Sequence, residues 1–126
     1  MSIDLAPGQV WKYETRDGED DSRLTVVRID DDPEYGNIVH IYISGVKIPN
    51  KSAPDGLTTF VCHMPFIEDS IKQSVSELDK SVDELPEYED GYLLWRKAFE
   101  DSEAGVFEVS VSDGIEIMQQ SLAGES

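Results

Sequence analysis

His40 and His63 are the side chains in this sequence best suited to move a proton or hold a metal near neutral pH. His40 lies within Asn37 to Ile48, two residues from Tyr42, so an extended backbone puts both side chains on one face. His63 stands between Cys62 and Met64-Pro65. If the two strands that carry them are neighbours, the imidazoles approach each other, and Arg28, His40, Tyr42 and His63 outline a candidate ligand groove. The plainer alternative has His63 bonding backbone near a helix start and His40 partly exposed. A zinc site commonly needs three protein ligands, and no His-x-x-x-His or Cys-x-x-Cys spacing occurs. Cys62, one residue from His63, is expected to point to the opposite strand face as a small buried hydrophobe.

Other chemistries fail on spacing. Ser44 precedes Gly45 but lacks the Gly-x-Ser-x-Gly elbow of serine hydrolases. Asp30, Asp32 and Glu34 match the opening of a calcium loop, but Tyr35 stands where glycine is needed and Ile41 where a bidentate glutamate is needed. Glycine-rich phosphate loops are absent. The sequence therefore nominates no catalytic residue, metal ligand or cofactor.

These residues depend on the elements that carry them. Asn37 to Ile48 is the longest run of β-branched and aromatic residues between turn signals, and it reads as the central strand. Val39, Ile41 and Ile43 form its apolar face, and Ile38, His40, Tyr42 and Ser44 its mixed face. Gln9 to Thr15 alternates Trp11 and Tyr13 against Val10, Lys12 and Glu14. Ser22 to Asp30 alternates again, with Leu24, Val26 and Arg28 opposite Thr25, Val27 and Ile29. Pro33, Gly36 and Asn37 supply a turn, so the second and third strands form a hairpin. A loop over 49–56 leads to a fourth strand, Leu57 to His63.

From Pro65 the period lengthens. Ile71, Val75, Leu78, Val82 and Leu85 recur at intervals of four and three, which predicts a long helix ended by Pro86. A second helix over 87–101 aligns Tyr88, Tyr92, Trp95 and Phe99, a stripe expected to cover the apolar face of the sheet. Tyr88 and Tyr92, near its start, are the candidate partner surface. Val106 to Val111 reads as a fifth strand, and Ser110 or Ser112 caps a closing helix to about Leu122. The expected fold is α+β, a twisted, mainly antiparallel sheet of about five strands with two to three helices packed on one face. An SH3-like barrel of the early strands is the variant. One domain spans 1–126, with a lead-in over 1–8, a strand-rich half over 9–63, a helix-strand-helix half over 65–122 and a frayed tail over 123–126.

The chain has 126 residues, a net charge of −17 from 27 acidic against 10 basic residues, and a single cysteine. The charge argues against nucleic acid or an anionic membrane as partner and for a basic protein or none. Acid falls in three regions, Asp17 to Glu34, Glu68 to Asp90 and Glu100 to Glu116. A solubilising surface, a polyanion decoy and adaptation to salt would each produce it. No apolar run reaches the roughly 18 residues of a membrane span, and the start carries no secretory pattern. The expectation is a soluble, cytoplasmic monomer or homodimer.

Pro7-Gly8-Gln9-Val10-Trp11, Ser22-Arg23-Leu24-Thr25, Ile38-Val39-His40-Ile41, His63-Met64-Pro65-Phe66 and Gly105-Val106-Phe107 together resemble a set of uncharacterised bacterial conserved proteins of about this length, over nearly the whole chain. That resemblance implies a bacterial, intracellular, single-domain protein and carries over no site residue. The leading functional expectation is a small acidic, non-enzymatic protein-binding module, inhibitor-like or immunity-like. The alternative is a small-ligand binder or enzyme that uses the groove around His40 and Tyr42.

Overall fold

A computed structural model describes the backbone of residues 4–124 and the side chains of residues 4–120. Its order is β1 (Gln9–Tyr13), β2 (Arg23–Asp32), β3 (Gly36–Pro49), β4 (Leu57–Ile67), α1 (Glu68–Ser74), β5 (Val75–Ser81), α2 (Glu89–Glu100) and α3 (Val111–Gly124). The strands form one antiparallel sheet in the order β4-β3-β2-β1-β5, giving an α+β fold. The sheet is open, so the barrel variant is set aside. β3 is the long central strand expected from its β-branched run, and the turn before it closes on Asp32, whose carboxylate accepts the N–H groups of Glu34 and Tyr35.

The core lies on one face of the sheet. Leu24, Val26, Val39, Ile41, Ile43, Met64 and Phe66 are buried there beneath Ile71 of α1 and Val111 and Ile115 of α3. Ser110 caps α3 by accepting the Asp113 N–H. Two helices thus pack on the apolar face. The third, α2, lies on the opposite face, where Tyr92 and Trp95 rest on His40, so its aromatic stripe does not cover the apolar face as expected.

Two expectations about the second half are overturned. The predicted helix from Pro65 to Leu85 is a short α1 followed at once by β5, which pairs with β1. Spacings of four and three suit a helix, but Ser74, Val75 and Ser76 are weak helix formers, and the open edge of β1 offers a ladder of hydrogen bonds instead. The predicted strand over 106–111 is reduced to one parallel bridge between Phe107 and Phe66, and Val111 already opens α3. β5 therefore supplies the fifth strand. α3 runs to Gly124, into the expected tail, and residues 125–126 lie outside the described residues.

Candidate functional site: a histidine pair under helix α2

Two bulges assemble this site. In β2 the register with β3 shifts between Val26 and Arg28, so Leu24, Val26 and Ile29 face the core while Arg28 and Asp30 turn to the His40 face. The simple alternation had put Arg28 with Leu24 and Val26, and the extra residue at Val27 reverses it. In β4 the register shifts between the partners of Ile41 and Ile43, which are Met64 and Val61. Cys62 and His63 therefore occupy two positions opposite one, and both face α2. A Cβ on Gly91 would lie 3.0 Å from His63 Cβ and 3.2 Å from Cys62 Sγ. Cys62 does not point away from His63 as expected, and it is only half-buried.

Five polar side chains converge. His40 Nδ1 lies 2.8 Å from His63 Nε2, and His40 Nε2 lies 3.1 Å from Asp30 Oδ2. The Tyr92 hydroxyl donates to the same Asp30 oxygen at 2.7 Å, and Arg28 Nε donates to Asp30 Oδ1 at 2.8 Å. A carboxylate only accepts, so His40 carries its proton on Nε2. Its Nδ1 then accepts from His63 Nε2–H, which leaves the lone pair of His63 on Nδ1. This Asp30–His40–His63 chain ends at a nitrogen bonded by no described residue.

The electrostatics make the chain a poor base. Burial, opposed in part by Asp30, pushes His40 down to about 4, and burial together with the neighbouring His40 pushes His63 to about 4. Both rings are neutral at neutral pH, and His63 gains a proton there only rarely. Burial alone would raise Asp30, but hydrogen bonds from Tyr92 and Arg28 and the adjacent His40 hold it below the ordinary value. Burial, then Asp30, raises Tyr92. Neither ring bonds a described hydroxyl or thiol other than through Asp30. Among the described residues no group of three His, Cys, Asp or Glu side chains is placed to hold a metal ion.

The network sits under a lid of aromatic rings. Tyr92 and Trp95 stand edge-on to His40 with centroids 4.9 and 5.0 Å away, and the Arg28 guanidinium lies 4.5 Å over Tyr92. His40 is fully buried, not partly exposed, and His63 bonds another side chain instead of backbone. Arg28, His40 and His63 thus come together, but α2 fills the space the groove was expected to occupy. Tyr42 is separate. It stacks on Phe60 at 5.9 Å and lines a cleft of about 440 Å³ with Arg23, Thr25, Ser44, Lys80 and Leu85. A second cleft, of about 360 Å³, lies between β4 and the start of α2, lined by Phe60, Cys62, Glu87, Glu89, Asp90 and Gly91. Neither cleft is lined by Arg28, His40 or His63.

The candidate partner residues also divide. Tyr92 is buried and unavailable, and Tyr88 is half-buried against Tyr92 with centroids 6.3 Å apart. Sequence reasoning missed Asp30 and Trp95 as members of the network. The consecutive apolar pair Val26-Val27 is the trace of the bulge that turns Asp30 inward. Among the described residues no helix is long and apolar enough to cross a membrane. Comparison of the chain with protein-family models, with curated proteins and with solved structures finds no match.

Proposed function

We propose that this chain is a small acidic protein-binding module that acts without catalysis and takes a basic protein as its partner. One observation carries the reading. The polar residues able to do acid–base chemistry are spent on docking α2 to the sheet, whereas Glu87, Glu89 and Asp90 line an open cleft and take part in no ion pair with a described residue. With a net charge of −17, long-range attraction to a basic surface speeds encounter and is weakened by salt. Inhibitor-like and immunity-like roles in a bacterial cytoplasm belong to this class, as monomer or homodimer.

Affinity capture from lysate of the source cell, first at low and then at moderate salt, tests it. A basic protein captured stoichiometrically and released by salt supports the reading. Recovery of no such protein sinks it. A second reading, a small-ligand binder, is favoured by the cleft of about 440 Å³ around Tyr42, where Arg23 and Lys80, together with Asp79 and Glu84, set charges of both signs beside the hydroxyls of Thr25 and Ser44.

A further inference from the structure

The two edges of the sheet are guarded differently. β5, at one edge, carries Glu77, Asp79 and Lys80, charges of the kind that keep an edge strand from pairing with other chains. β4, at the other, has no Asp, Glu, Lys or Arg from Leu57 to Ile67. Its far half is closed from within the molecule. Phe107 donates its N–H to the Pro65 carbonyl at 2.9 Å and accepts the Ile67 N–H at 3.0 Å, so the segment before α3 already lies parallel to β4 for one bridge. Toward Leu57 no described backbone group pairs with the outer edge. Apolar surface is exposed beside it, with Phe60 at 52% and Leu57 at 38% accessibility.

We propose that this open half of the β4 edge, with the acidic cleft beside it, docks an extended basic segment of the partner protein, which adds to the sheet as a further strand. The proposal rests on the protein-binding reading and names its surface and its chemistry. Backbone hydrogen bonds to Leu57–Cys62 hold the strand, and alternate side chains read the neighbouring surface. Lysine or arginine side chains on the α2 side meet Glu87, Glu89 and Asp90. Apolar side chains meet Phe60 and Leu94, which is 75% exposed and shares a helix face with Asp90. A second copy of this chain is disfavoured as the occupant, because antiparallel pairing of two β4 edges would bring two sets of these carboxylates together.

The test uses the whole chain and two synthetic peptides of about ten residues, one alternating lysine with valine and one alternating lysine with proline. They match in charge, but proline cannot extend a ladder. The lysine–valine peptide is expected to bind, to shift the amide resonances of Leu57–Cys62, and to bind about tenfold more tightly than the proline peptide. A triple variant, Glu87→Gln, Glu89→Gln and Asp90→Asn, with unchanged circular dichroism, is expected to lose about tenfold in affinity. Equal binding of the two peptides, absence of binding, shifts confined to other acidic segments, or an unaffected triple variant would each overturn the proposal. If the triple variant captures a basic cellular partner as well as the wild type does, the docking site is wrong while the acidic-module reading stands.

Discussion

Replacing Asp30 by alanine should unfold the α2 face of the molecule before any other surface. Asp30 accepts three hydrogen bonds, from Tyr92, Arg28 and His40. In the variant, His40 Nε2–H keeps no partner on a ring that is fully buried, which costs roughly 1–3 kcal/mol. The Tyr92 hydroxyl, on a side chain only 8% exposed, adds about 1 kcal/mol. Arg28 is more exposed and contributes little. The sum is about 2–4 kcal/mol. With an unfolding entropy of about 2 cal/mol/K per residue over 126 residues, this lowers Tm by about 8–15 °C. Calorimetry and denaturant titration of Asp30→Ala, Tyr92→Phe and the double variant form a cycle. Because loss of both partners of a bond is milder than loss of one, the double variant should lose less than the sum of the singles by at least about 0.5 kcal/mol. Asp30→Ala within about 0.5 kcal/mol of the wild type, or a strictly additive cycle, would refute the claim that this network holds α2.

Three further outcomes concern contacts elsewhere in the fold and the titration of the histidine pair. Glu19 is buried and held by Arg16 through bonds of 2.8 and 2.6 Å, so Arg16→Ala leaves a carboxylate whose remaining donor is the Lys47 N–H and should cost about 3 kcal/mol in urea titration; a loss below about 1 kcal/mol would contradict this. Gly114→Ala should destabilise by about 1–3 kcal/mol even though alanine favours helix by about 1 kcal/mol, because the new Cβ would lie 2.7 Å from Cζ of the fully buried Phe66; a raised Tm would show that the ring yields. The unfolded chain has imidazoles of ordinary pKa near 6.5, and the folded values are about 4, so between these pH values the unfolded state binds more protons. Stability should be flat in this respect above pH 6.5 and fall as pH drops toward 4, by roughly 3 kcal/mol per imidazole at most, with Asp30 adding loss only below its ordinary value. His63→Gln should make the slope shallower in urea titrations across that range, and an unchanged slope would contradict the assignment.

The strand-rich half was legible because β-branched residues and turn residues agree with each other there. Val39, Ile41 and Ile43 face the core, and His40 and His63 meet, as the spacing and neighbourhood of their strands suggested. What alternation cannot carry is an extra residue. The bulge at Val27 turned Arg28 and Asp30 to the other face, and the one at Cys62–His63 did the same for Cys62. The stretch from Pro65 misled for a different reason. Its apolar spacing fits both a helix and a strand with one exposed leucine, and Leu78 is 44% exposed in β5, so the choice was made by the unpaired edge of β1 and not locally. The aromatic stripe of α2 was correctly placed on one helix face, but nothing in its spacing says which side of the sheet it covers. His40, a polar group needing partners once buried, drew it to the mixed face.

Imidazole ¹⁵N NMR of the intact protein across neutral and acidic pH bears most directly on the claim that the histidine pair is consumed by the fold. The account predicts that His40 and His63 are both neutral with the proton on Nε2 at neutral pH and titrate only near 4. Titration of either ring near 6.5, or an Nδ1–H tautomer at His63, would instead describe an accessible acid–base centre and contradict the non-catalytic reading.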